Sequence, residues 1–305
     1  MLDGAMTVWF VMTGLSLAFV IWDSVSNGVT SWVQRAAWIL VTAYTGVFGL
    51  FFYLVTCRRP FVGGHDQFTK PVWKQAVNSE MHCLAGDATG ILIAALILSL
   101  FELANGWDAV AEYAAGFIFG LFIFQALMML GMYQGDYMLA VRKTVFAETV
   151  SMNFVMAGMI PVMVILADYW PESRHPGAAS FWFRMSLASV VGGFIAYPIN
   201  YWLVASHLKH GCMTLPGADG PAPKLGHSSP ETSMHHDHGA HAHHHGAGDG
   251  RSGDMEHAAH GAHGMHGGMQ MRSLSLPVAA AWVVFSFAIL FAALIATNIY
   301  TPIRF

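Results

Sequence analysis

Residues 279–296 read AAAWVVFSFAILFAALIA, eighteen positions without a charge. A helix rises about 1.5 Å per residue and the hydrocarbon core of a bilayer is about 30 Å thick, so roughly 20 apolar residues cross it. With its flanks this stretch, 276–298, reads as a transmembrane helix, and it sets the scale for the rest of the chain.

The same window finds six more such stretches among the 305 residues: 6–22, 36–56, 79–103, 114–132, 151–169 and 182–206. The composition agrees, with 55% hydrophobic and 10% charged residues and a mean hydropathy of +0.49, well outside the range of soluble domains. Trp9, Trp22, Trp32, Trp107, Tyr169, Trp170, Trp182, Tyr201, Trp202 and Tyr300 stand near the ends, where an interfacial belt forms. The predicted fold class is all-α, a polytopic helical membrane protein of about seven transmembrane helices. Residues 1–206 form a six-helix membrane region, 207–275 a polar loop between helices 6 and 7, and 276–305 the final helix with a short tail. The first segment lacks the basic leader and cleavage site of a secretory signal, so it reads as a retained helix.

Orientation follows from Lys and Arg. On the expected seven-helix count, Arg58, Arg59, Lys70, Lys74, Arg142, Lys143, Lys209, Lys224, Arg251 and Arg272 fall on one side, against Arg35, Arg174, Arg184 and Arg304 on the other. The expectation is a multi-pass protein of the cell (inner) membrane, with its N-terminus and the 6–7 loop in the cytoplasm.

The 6–7 loop is the most unusual stretch. It carries MHHDHGAHAHHHGAGDG at 234–250 and MEHAAHGAHGMHGGMQM at 255–271, and twelve of the seventeen histidines lie between His227 and His266. Gly, Ala, His and Met in this mixture bury too little apolar surface to fold, so the loop is expected to be disordered. Imidazole suits zinc, copper and nickel, and thioether sulfur suits Cu(I). The candidate ligands are His235, His236, His238, His241, His243, His244, His245, His257, His260, His263 and His266, with copper or zinc as the ion and nickel possible. The competing reading of such a loop is a dispensable buffer that raises the local metal concentration without carrying transport chemistry.

Inside the membrane, SEMHCLAGDATG at 79–90 opens the third span. Ionisable groups are costly there and mark pathways and sites. His82, Cys83 and Asp87 present nitrogen, sulfur and carboxylate within about two turns, a set suited to zinc or copper. The competing reading is hydrogen bonding to neighbouring helices around a small packed thiol. In the fifth span Met152, Met156, Met159 and Met163 follow i, i+4, i+7, i+11, one stripe about 16 Å long. Such a ladder could hand Cu(I) from sulfur to sulfur, although methionine stripes more often simply pack. Met128 and Met132 form a second pair in the fourth span, and Glu148 and Asn153 add oxygen ligands. At the end of the sixth span, His207, His210 and Cys212 in HLKHGCM form either a relay or an ordinary helix end closed by Lys209, His210 and Gly211.

Three cysteines without CxxC spacing exclude a disulfide framework or zinc finger, and a net charge of −4 argues against nucleic acid. No P-loop is present for an ATP-driven pump. Three GxxxG pairs, 86–90, 116–120 and 131–135, allow close helix packing and leave oligomerisation open.

The strings PVWKQAVNSEMHCLAGDATGI, FIFGLFIFQALMMLGMYQGDY, ETVSMNFVMAGMIPVMV and AYPINYWLVASHLKHGCM are similar to an uncharacterised family of bacterial multi-helix membrane proteins, DUF4396. The resemblance spans most of 60–215 and implies membrane architecture, with any shared chemistry in spans 3 to 6. Cys212 stands where it implies methionine, and the His-rich stretch is an elaboration.

The leading functional expectation is a copper or zinc transporter, not an enzyme. The alternatives are a membrane-anchored metal buffer, sensor or chaperone, or an accessory subunit of a metal-containing oxidoreductase. The expected partners are the bilayer, metal ions, and a metalloenzyme or metal chaperone. Outside the loop, His82 is the one histidine within a span, which disfavours bis-His haem.

Overall fold

The computed structural model describes residues 2–27, 31–58, 68–101, 103–211 and 272–304. The 227–266 histidines and Cys212 lie outside these residues. The described chain is all-helical: α1 Leu2–Ser26, α2 Trp32–Thr45, α3 Val47–Cys57, α4 Val72–Leu98, α5 Asn105–Met129, α6 Tyr137–Tyr169, α7 Ala179–Ala205 and α8 Leu276–Tyr300. Six of them, α1, α4, α5, α6, α7 and α8, are long and apolar enough to cross a bilayer.

The expected second span is not a crossing. Gly46 adopts φ +58 between α2 and α3, a conformation open to glycine and strained for other residues. The chain reverses there, and α3 runs back along α2. A Cβ on Gly49 would lie 2.7 Å from the Thr42 Cα, the Trp38 and Tyr53 rings meet at 5.6 Å, and Gln34 Nε2 reaches Cys57 Sγ at 3.6 Å. Arms of about 21 and 16 Å cannot traverse a 30 Å core. The apolar run is long enough for a span, but it is spent on a hairpin.

The base of the hairpin is tied to α1 and α4. Buried Asp23 accepts from the Tyr53 hydroxyl at 2.9 Å and pairs with Arg58 at 3.2 Å. Asn78 Nδ2 donates to the Thr56 carbonyl at 3.0 Å. The end of α1 and the start of α4 therefore share one end of the bundle, here the loop end. The Ser206–Gly211 segment is there too, with Gly211 against Gln75 and the Arg272 N–H on the His207 carbonyl at 2.8 Å. At the far end, the Gly106 N–H donates to the Arg304 carbonyl at 2.7 Å, and Trp9 of α1 packs on Phe183 of early α7. So α1 starts, and α8 finishes, at the far end. The expected placement of the N-terminus on the side of the 6–7 loop is corrected: with the second apolar run folded back as a hairpin, α1 begins opposite Lys70 and Arg272.

Glycine contacts set the closest helix approaches. A Cβ at Gly86 would fall 2.8 Å from the Gly120 Cα, and one at Gly90 would fall 2.8 Å from the Gly116 Cα. Two of the three GxxxG pairs thus face each other across α4 and α5 and are used within the chain. Gly158 and Gly192 make a like contact between α6 and α7, with 2.8 Å to the Gly192 Cα. Pro161 and Pro198 are accommodated inside continuous helices. The outer helices α1 and α8 bury few side chains and turn apolar surface outward, as lipid contact requires.

Candidate functional site: a buried polar cluster

Within the bundle, α4 carries Cys83 and Asp87 one turn apart, on the stripe that faces α5 and α6. Glu148 of α6 meets them: the Cys83 thiol lies 3.1 Å from Glu148 Oε2. Gln125 enters from α5, where Phe119–Gln125 is a π-helical stretch, a local widening often found at functional positions. Its Nε2 donates to Cys83 Sγ at 2.6 Å and to Glu148 Oε2 at 3.0 Å.

Lys209 completes the cluster from beyond α7. That helix ends at Ala205, and His207 takes a positive φ of 58°, which turns the following residues inward. Lys209 Nζ reaches Cys83 Sγ at 2.8 Å, Asn200 Oδ1 at 2.6 Å and Ser151 Oγ at 3.2 Å. Each of the three ammonium donors has an acceptor. Burial alone would depress this amine; the surrounding Cys83, Glu148 and Asp87 outweigh it and hold its pKa above the usual lysine value.

The two carboxyls are incompletely satisfied. Asp87 Oδ1, Asp87 Oδ2 and Glu148 Oε1 are buried without a hydrogen-bond partner among the described residues. Asp87 Oδ1 and Glu148 Oε1 both crowd the bare Cα of Gly120, where a Cβ would strike each of them. Orphaned buried carboxylate oxygens are costly, so this floor of the cluster calls for a proton or a water.

The expected His82, Cys83, Asp87 trio is not brought together. Cys83 and Asp87 join Glu148, while His82, one residue and about 100° round the helix, is turned elsewhere. It is buried, both ring nitrogens lack partners among the described residues, and it lies within electrostatic reach of His210 and Lys209. Among the described residues no group of three or more His, Cys, Asp or Glu is placed to hold a metal ion. His207 is exposed and His210 half-buried, and burial lowers the pKa of His210 to about 4. The helix-end role expected for Lys209 is replaced by its place in the interior.

The methionine stripe is where the spacing put it. Met152, Met156, Met159 and Met163 are all buried in the bundle interior. Met152 Cε stands against Gly116 beside the Asp87 carbonyl, and Met163 lines a polar cavity of about 670 Å³ at the far end. Asp108, Glu112, Asp168, Arg174, Arg184 and Arg304 face that vestibule. The second methionine pair is not a helical pair: Met128 is half-buried near the end of α5, and Met132 lies in the turn beyond it. Asn153 holds helices together, accepting from the Tyr113 hydroxyl at 2.8 Å and donating to Ser286 Oγ at 2.9 Å.

Sequence reading missed Gln125, Ser151, Asn200 and Lys209 as parts of the cluster. Gln125 and Asn200 were visible as amides inside apolar runs, and that was the available signal. No curated protein and no solved structure matches the chain. Residues 72–209, which supply every member of the cluster, match the family model described as Domain of unknown function (DUF4396).

Proposed function

We propose that the protein is a permease for a transition-metal ion, copper before zinc. The observation that carries this reading is the buried methionine stripe, which runs from the far-end vestibule at Met163 to the Cys83–Asp87–Glu148 cluster beside Met152. Thioethers favour Cu(I) over harder ions, and about 16 Å of them at helical spacing offers successive weak sites. Anionic and thiol groups at the end of the stripe would take the ion next. Lys209 now occupies their field and would have to yield as the cargo arrives. The His-rich stretch would concentrate ions at the loop end, which we assign to the cytoplasm. With the hairpin returning, Arg35 joins the ten cations of that side.

The test is Cu(I) uptake into proteoliposomes by Met156→Leu together with Met159→Leu. Transport through the stripe predicts a loss of about tenfold or more with expression intact. Unchanged flux would remove the stripe from the path.

A second reading, a membrane-anchored metal buffer or chaperone, draws on the lack of a three-ligand His, Cys, Asp or Glu group among the described residues. Deleting 227–270 separates the two: a buffer loses its metal, and a permease keeps much of its flux.

A further inference from the structure

A further buried carboxyl stands apart from the cluster. Glu80 of α4 is 1% exposed, and its Oε1 has no hydrogen-bond partner among the described residues. It faces a cavity of about 290 Å³ between the hairpin, α4 and α7, lined by Phe48, Phe52, Trp73, Phe194 and Tyr197 among others. Lys209 acts on Glu80 electrostatically, but its donors are engaged by Cys83, Ser151 and Asn200. Phe48, Trp73 and Phe194 are each more than a third exposed, so the cavity opens sideways on the bundle surface.

We infer that this cavity is a binding site for a lipophilic ammonium ion, its charged head on Glu80 among the aromatic rings and its hydrocarbon tail leading out to the bilayer. An isolated carboxyl in an apolar, aromatic pocket is costly on its own and is complemented by one positive charge. Aromatic faces attract alkylammonium groups without demanding hydrogen bonds. Glu80 lies about 12 Å along α4 from Val72, below the headgroup level, which favours a penetrating amphiphile over a lipid headgroup. The site is separate from the metal path of the proposed function and does not depend on it.

The test is calorimetric titration of octyltrimethylammonium into the full chain in lipid nanodiscs, against protein-free nanodiscs. Saturable one-to-one binding is expected, weakened about tenfold or more by Glu80→Gln. Gly193→Leu should weaken it similarly by filling the cavity, because a Cβ there meets only Leu84 at 3.4 Å and Glu80 Oε1 at 3.8 Å. Should Glu80→Gln fail to fold by size exclusion, Gly193→Leu decides. Absent binding, or binding that either folded variant leaves unchanged, overturns the assignment; the latter marks a slot for an acyl chain.

Discussion

The Lys209 ammonium lies 2.8 Å from the Cys83 sulfur, across 126 positions of sequence. This contact joins the segment after α7 to the middle of α4 and places a cation beside Glu148 and Asp87 in the protein interior. The charge balance of the bundle turns on it.

Replacing Lys209 with Met should leave those carboxyls without their cation. Losing the charged donor to Cys83, Ser151 and Asn200 leaves buried acceptors unsatisfied at about 1–3 kcal/mol each, and a large fall in melting temperature of the detergent-purified protein is expected. Lys209→Met combined with Glu148→Gln should recover part of that loss. An additive double mutant would show that the two charges are not coupled.

Gly120 should tolerate no side chain, since any Cβ meets both Asp87 and Glu148. Gly120→Ala is predicted to lower the monodisperse fraction in size exclusion sharply. Gly14→Ala, at a position with nothing within 4 Å, should be silent. Equal behaviour of the two would contradict the packing described.

Acidification should destabilise the fold through His210. Its pKa falls to about 4 because of burial, against about 6.5 in the unfolded chain. Between these values the unfolded state binds the proton and the folded state does not, so stability is full above about pH 6.5 and declines toward pH 4. The loss across that window is on the order of 2–3 kcal/mol. Melting curves at pH 7 and pH 5 should therefore differ more for the wild type than for His210→Gln.

The hairpin makes a topological prediction. Single cysteines at Gly4 and Arg304, both exposed, in a chain whose native cysteines are replaced, should react with an impermeant maleimide from the same side of the membrane, and one at Lys70 from the opposite side. A seven-span chain would put Gly4 and Lys70 together.

Much of this architecture was legible in the sequence, because apolar length alone identifies α1, α4, α5, α6, α7 and α8. Hydropathy records length without direction, however, and the single sign of reversal in 36–56 was Gly46, one glycine among many. Helical spacing correctly placed Cys83 and Asp87 on one stripe and the four methionines on another. It overreached in adding His82, which sits a third of a turn away. Lys209 escaped notice because an ordinary helix was expected to continue to Gly211. Its early end at Ala205 and the left-handed His207 are backbone events without a residue signature. Gln125 was hidden similarly, since nothing in FGLFIFQ announces a π-helical stretch.

That stretch carries a genetic consequence. A π turn holds one residue more than the α turn it replaces, so it stands in a helix as a one-codon insertion would. Removing a single residue between Phe119 and Gln125 should let α5 close into a regular helix and swing the downstream side chains by about 100°. Gln125 would leave Cys83 and Glu148 while the span kept its hydropathy. A polar centre of this kind is thus one reading-frame-preserving indel away from an ordinary packed helix, and its gain or loss among descendants need leave no mark in the residues that flank it.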